Sequence, residues 1–87
     1  MVKLNKPRQA GPYPDRDIAC QEAIEQDFLE LAKGLKPDDI VAAAGGNLAP
    51  VLTALAQRAE SVGWTLEEAE VAIGELAQNL LDDMAEM

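Results

Sequence analysis

Glycine and proline cut the chain after position 15 into four stretches, and each stretch has the period of a helix. The stops are Gly34 with Pro37, Gly45-Gly46 with Pro50, and Gly63. Between them apolar residues recur at steps of three and four, and no segment alternates at the period of two that marks a half-buried strand. The pattern predicts an all-α fold: a small bundle of three main helices plus one short helix, spanning residues 15–87 as a single acidic domain.

In the first stretch Ile18, Ile24, Phe28, Leu31 and Leu35 form the expected inner stripe, with Asp15 or Asp17 capping its start. Gly34 is the expected left-handed terminator, with Leu35 folding back on Leu29. A short helix should follow, with Pro37 in its first turn, Asp38 and Asp39 at the positive dipole end, and Ile40 and Val41 inward. Asn47 is placed to cap the third stretch, whose seam reads Leu48, Leu52, Leu55, Ala59 and Val62, widened by Val51 and Ala56. Thr65 and Glu68 have the spacing of a capping box, and Trp64 precedes it where a staple residue belongs. Leu66, Ala69, Ile73, Leu76, Leu80 and Met84 then mark the last helix. Gly74 in its interior costs about 1 kcal/mol against alanine, so a second backbone is expected to pass close by. Asp82, Asp83 and Glu86 oppose the helix dipole, so the last turn should fray.

Residues 1–14 carry three prolines, a glycine and no apolar period, and read as a mobile basic arm. They hold Lys3, Lys6 and Arg8 without an acid, a net of +3. Residues 15–87 hold all 16 carboxylates against Arg16, Lys33, Lys36 and Arg58, a net of −12. A body of that charge is repelled by nucleic acid and by anionic membrane, so a basic or apolar protein is the expected partner.

Chemistry finds little purchase. With no histidine and the single Cys20, a zinc site of His and Cys ligands and an intrachain disulfide are both excluded. The carboxylate pairs Glu67-Glu68 and Asp82-Asp83 point about 100° apart on a helix and do not converge on one atom. Asp15 and Asp17 begin like a calcium loop, but Cys20 stands where the loop needs glycine and Gln26 where it needs glutamate. Gly45-Gly46 has neither a preceding strand nor a following Lys-Ser/Thr pair, so a phosphate loop is not indicated. Cys20 reads as a small buried apolar side chain, with an interchain disulfide or a reactive thiol as the open alternatives. No catalytic, metal or cofactor site is expected. The first 20 residues lack the apolar core of a signal peptide, and no segment approaches 18 apolar residues. A lone thiol fits a cytoplasmic setting.

Residues 55–73 have the spacing of a DNA-reading helix–turn–helix, with Ala59 and Gly63 four apart. The second helix would present Glu67, Glu68, Glu70 and Glu75 and no cation. Charge therefore argues against DNA binding near physiological salt.

The segments YPDRDIACQEAIE (13–25) and LAQRAESVGWTLEEAEVAIGELAQN (55–79) resemble a family of short helical proteins of α-proteobacteria with no assigned activity. The Tyr-Pro-Asp-Arg start and the Gly-Trp turn carry most of that resemblance, which covers under half the chain and implies a bacterial cytoplasmic setting.

A non-enzymatic interaction or regulatory module is the leading reading. Leu29, Val51, Val71 and Leu81 fall at or beyond the edges of the inner stripes and are the candidate interaction surface. A homodimer is expected to cover them. A DNA-mimicking acidic inhibitor and a degenerate helix–turn–helix regulator are the alternatives.

Overall fold

A computed structural model describes Pro7 and residues 14–85 and shows four helices with no strand among them. They are α1 (Arg16–Ala32), α2 (Pro37–Ala44), α3 (Pro50–Ser61) and α4 (Leu66–Ala85). The all-α bundle of three main helices and one short helix is therefore the fold. The expected mobile arm lies outside the described residues, apart from Pro7 and Pro14.

Two helices end by the same device. At the end of α2 the Asn47 amide donates to Ala42 O at 2.8 Å and the Gly46 amide to Ala43 O at 3.0 Å. At the end of α3 the Trp64 amide donates to Ala59 O at 3.2 Å and the Gly63 amide to Glu60 O at 3.1 Å. These nested pairs are Schellman motifs, which require a left-handed residue at the position Gly46 and Gly63 fill, with φ of 97° and 121°. Asn47 thus closes α2 and does not cap α3, contrary to the sequence expectation. Ala49 occupies the N-cap of α3 without a side-chain bond, and Pro50 takes the first helical position, where its missing amide leaves nothing unmade.

The other end of the chain departs further. Asp15 is the N-cap residue of α1, but it stands at φ 65° and its side chain caps nothing. Gly34 is not left-handed either. The first helix instead runs out through tight i→i−3 bonds, from the Gly34 amide to Leu31 O and the Leu35 amide to Ala32 O, both 3.1 Å. The capping box of α4 forms as its spacing predicts: the Glu68 amide donates to Thr65 Oγ1 at 3.0 Å, and the Thr65 amide donates to Glu68 Oε2 at 2.6 Å. The helix then continues through Asp82 and Asp83 to Ala85, so the expected fraying falls at the limit of the described residues.

The fourth helix is the hub, packed against each of the other three, and α1 also meets α3. Arg16 reaches Glu68 and Gln21 reaches Glu75, so α1 and α4 run in the same direction. The core joins Cys20, Ile24 and Phe28 of α1 to Leu52, Leu55, Ala56 and Ala59 of α3, and to Trp64, Ala69, Ala72, Ile73, Leu76 and Ala77 of the α4 segment. Ile40 and Ala43 of α2 complete it. Alanines at 43, 69, 72 and 77 let backbones come close, which is how one helix can hold three neighbours. Gly74 marks the tightest approach: a Cβ there would stand 3.3 Å from Ala43 O, so α2 is the second backbone its sequence position implied.

Four inward assignments fail, one of them Val51, which is exposed at the start of α3. Ile18 is exposed, and so is Val41, because α1 and α2 turn Cys20, Asp27 and Ala43 inward in their place. Met84, at the end of α4, is exposed too.

Candidate functional site

The residues the sequence marks as chemically suggestive gather at the α3–α4 turn. The Glu68 carboxylate, already capping Thr65, accepts two bonds from Arg16: Nε to Oε1 and Nη2 to Oε2, each 2.8 Å. The Arg16 guanidinium also lies 5.2 Å from the centre of the Trp64 ring and donates through Nη2 to Gly63 O at 3.4 Å. Arg16 therefore binds the start of α1 to the turn by a bidentate ion pair, a carbonyl contact and a cation–π contact together. The side-chain hydrogen bond from Arg16 holds the Glu68 carboxyl below its usual range, with the Thr65 amide helping. The knot ties α1 to the α3–α4 turn, and its Thr65 and Glu68 also border an open groove.

Cys20 sits behind that knot, fully buried, with Sγ 3.8 Å from Glu68 O. Burial pushes its thiol up to about 12, the Glu68 charge adds to the rise, and Arg16 opposes it. This is the inert small-residue reading. A group whose pKa rises on folding stabilises fully below its unfolded value and loses that contribution as pH climbs through the folded value. For Cys20 the window runs from 9.0 to about 12. The native protein is accordingly expected to resist thiol reagents at neutral pH and to react fully once denatured. Chemical denaturation should show stability falling between pH 9 and 11 in the wild type more than in Cys20→Ala. Equal slopes would place the thiol in water.

The outward ridge of α4 separates two open grooves, the first of which begins at the Arg16–Glu68 knot. One, about 260 Å³, runs between α1 and α4 and is lined by Asp17, Gln21, Thr65, Glu67, Glu68, Val71, Ala72 and Glu75. The other, about 570 Å³, lies between the end of α2 and α4, with Gly45, Gly46, Glu67, Glu70, Val71, Gly74, Glu75 and Gln78 among its walls. No lysine or arginine lines either. Glu67, Val71 and Glu75 border both grooves, because steps of four keep them on one face of the helix. Val71 is 53% exposed. Gln21 donates its amide to Glu75. Asp17, Glu67 and Glu70 form no ion pair among the described residues.

Of the four candidate surface residues, only Val71 lines these grooves. Leu29 and Val51 are exposed, at 42% and 43%, on α1 and α3. Leu81 is half-buried against the core. On α4, Leu81 turns toward the bundle while Val71 turns outward. Sequence reading also missed the ion pair of Asp27 with Arg58, 2.7 Å from Nη2 to Oδ2, in which Asp27 is nearly buried. Its signal was available, since Asp27 falls beside Ile24 and Phe28 on the inner face.

No cluster of three or more potential metal ligands exists among the described residues, and none of their helices is long and apolar enough to cross a membrane. The chain matches no family, curated protein or solved structure.

Proposed function

We propose that this protein is a non-enzymatic interaction module that holds a basic, amphipathic segment of a partner protein on the outward face of α4. The observation that carries the reading is Val71, an exposed apolar side chain set between two grooves whose charged residues are all acidic. A partner helix with an apolar anchor and flanking lysines or arginines complements that pattern. The reading places the protein in the cytoplasm, where the unpaired Cys20 stays reduced.

A cationic amphipathic helical peptide is expected to bind the full chain, and Val71→Asp should weaken it by about tenfold or more, or about 1.4 kcal/mol. Val51→Asp, an equal charge change on α3, should leave affinity nearly unchanged. Titration calorimetry at low and moderate salt measures both. If the two variants weaken binding alike, or if affinity collapses with salt and ignores Val71, the groove reading fails. The second pattern favours an acidic inhibitor that imitates a phosphate track. The helix–turn–helix alternative finds no support in α4, which carries no lysine or arginine from Leu66 to Ala85.

Homodimerisation is a second part of the proposal, through surface other than the α4 ridge. Two copies of that ridge would oppose Glu67, Glu70 and Glu75 to themselves. Ile18 and Leu29, three turns apart on the outward face of α1, and Val51 on α3 remain exposed and lie outside both grooves. Sedimentation equilibrium should show a dimer at tens of micromolar that weakens at low ionic strength, because less salt screens less repulsion. A monomer at both salt concentrations defeats it.

A further inference from the structure

The two grooves that flank Val71 are not equivalent hosts for a partner helix. The α1–α4 groove is already bridged by the chain itself, because Gln21 of α1 donates to Glu75 of α4 across it. At the turn, its Thr65 and Glu68 are engaged with each other in the capping box, and Glu68 also holds Arg16. An occupant there displaces bonds that already exist. The α2–α4 groove is crossed by no hydrogen bond or ion pair among the described residues, and at about 570 Å³ against about 260 Å³ it is the larger. Gly45, Gly46 and Gly74 line it, so much of its surface is backbone that a second helix can approach closely.

Its electrostatics are one-sided. Glu67 and Glu70 border it without an ion pair. The last turn of α2 ends there too, and the carbonyls of Ala44 and Gly45 accept no hydrogen bond among the described residues. A helix C-terminus carries about half an elementary negative charge. Carboxylates and unfilled carbonyls therefore meet in one cleft, and both call for a donor of positive charge.

We propose that the partner helix lies in the α2–α4 groove, with an apolar side chain against Val71 and Gly74 and an arginine donating to Glu70 and to the carbonyls that end α2. The proposal rests on the partner reading above and adds to it the groove and the cation. Arginine is selected over lysine because its planar fork of five donors serves a carboxylate and a carbonyl together, whereas an ammonium acts as a point charge. Cations at a helix C-terminus are also favoured by the dipole and can bond its last carbonyls.

The probe is a designed amphipathic helical peptide with one leucine stripe flanked by arginines, titrated into the full chain at moderate salt. Amide shifts of Gly45, Gly46 and Gln78 should change most, while those of Asp17 and Gln21, which line only the other groove, stay nearly still. Glu70→Arg should weaken the peptide about tenfold, and Asp17→Arg, the same charge reversal on the other groove, by less than about threefold. Both side chains are exposed and without an ion pair, so both variants should fold. A version of the peptide with lysine at every arginine should bind about fivefold more weakly. Shift changes centred on Asp17 and Gln21, or an Asp17→Arg loss as large as that of Glu70→Arg, overturn the choice of groove, while binding that still depends on Val71 keeps the partner reading. Equal affinity of the arginine and lysine peptides overturns the arginine contact with the end of α2. A peptide that binds through neither groove, or not at all, defeats the partner reading and this inference with it.

Discussion

Trp64→Ala is expected to lower stability by about 3–5 kcal/mol, the usual cost of truncating a large buried aromatic. The indole is 3% exposed and stands where α3 ends and α4 begins, under the Arg16 guanidinium. Its removal opens a cavity in a core rich in small side chains, Cys20, Ala59 and Ala69 among them, which cannot expand to fill it. It also strips Arg16 of its aromatic face, although the ion pair with Glu68 can persist. In a domain of this size each kcal/mol moves the melting temperature by about 4–8 °C, so a fall of about 12 °C or more should appear by calorimetry. Trp64→Phe should recover part of the loss. A melting temperature unchanged in Trp64→Ala would mean that the indole stands outside the core.

Arg58→Met should cost about 2–3 kcal/mol, and more than Asp27→Ala. Asp27 is the nearly buried partner, with its side chain 10% exposed, whereas the Arg58 side chain is 34% exposed. Removing the arginine leaves a carboxylate in the α1–α3 seam with no counter-charge. Removing the aspartate leaves a cation that can turn toward water. Loss of one partner of a fully buried pair costs about 3–5 kcal/mol, and the exposure of Arg58 reduces that figure here. The double variant Asp27→Leu/Arg58→Met should regain most of the stability, since an apolar pair of similar volume carries no desolvation penalty. Urea denaturation of the three variants checks the order. A double variant less stable than Arg58→Met alone would show that the pair supplies net stability and not merely mutual compensation.

The sequence carried the local rules well where they depend on near neighbours in the chain. Thr65 and Glu68 form their capping box because three residues separate them and no distant group is needed. Gly63 ends α3, and Gly74 admits the α2 backbone, because an absent Cβ has few other uses inside such a pattern. Asn47 misled because an amide three residues before a helix can serve either the helix ahead or the one behind. The Schellman closure of α2 settled it. Ile18 misled because α1 is apolar on more than one side, and periodicity alone does not rank Ile18 against Cys20.

Composition and spacing by themselves determined the all-helical class, the number of helices, their breaks and the acidic character of the body, all of which follow from interactions a few residues long. Which faces turn inward was decided only by packing. Four helices share one hub, so the buried side of each depends on where its neighbours lie, and those directions are long-range quantities that no local pattern encodes. That is why Leu81 is drawn against the core while Val71 stands between two acidic grooves, and why Asp27, a charge, is nearly buried: Arg58 reaches it from a helix that begins 23 residues later in the chain.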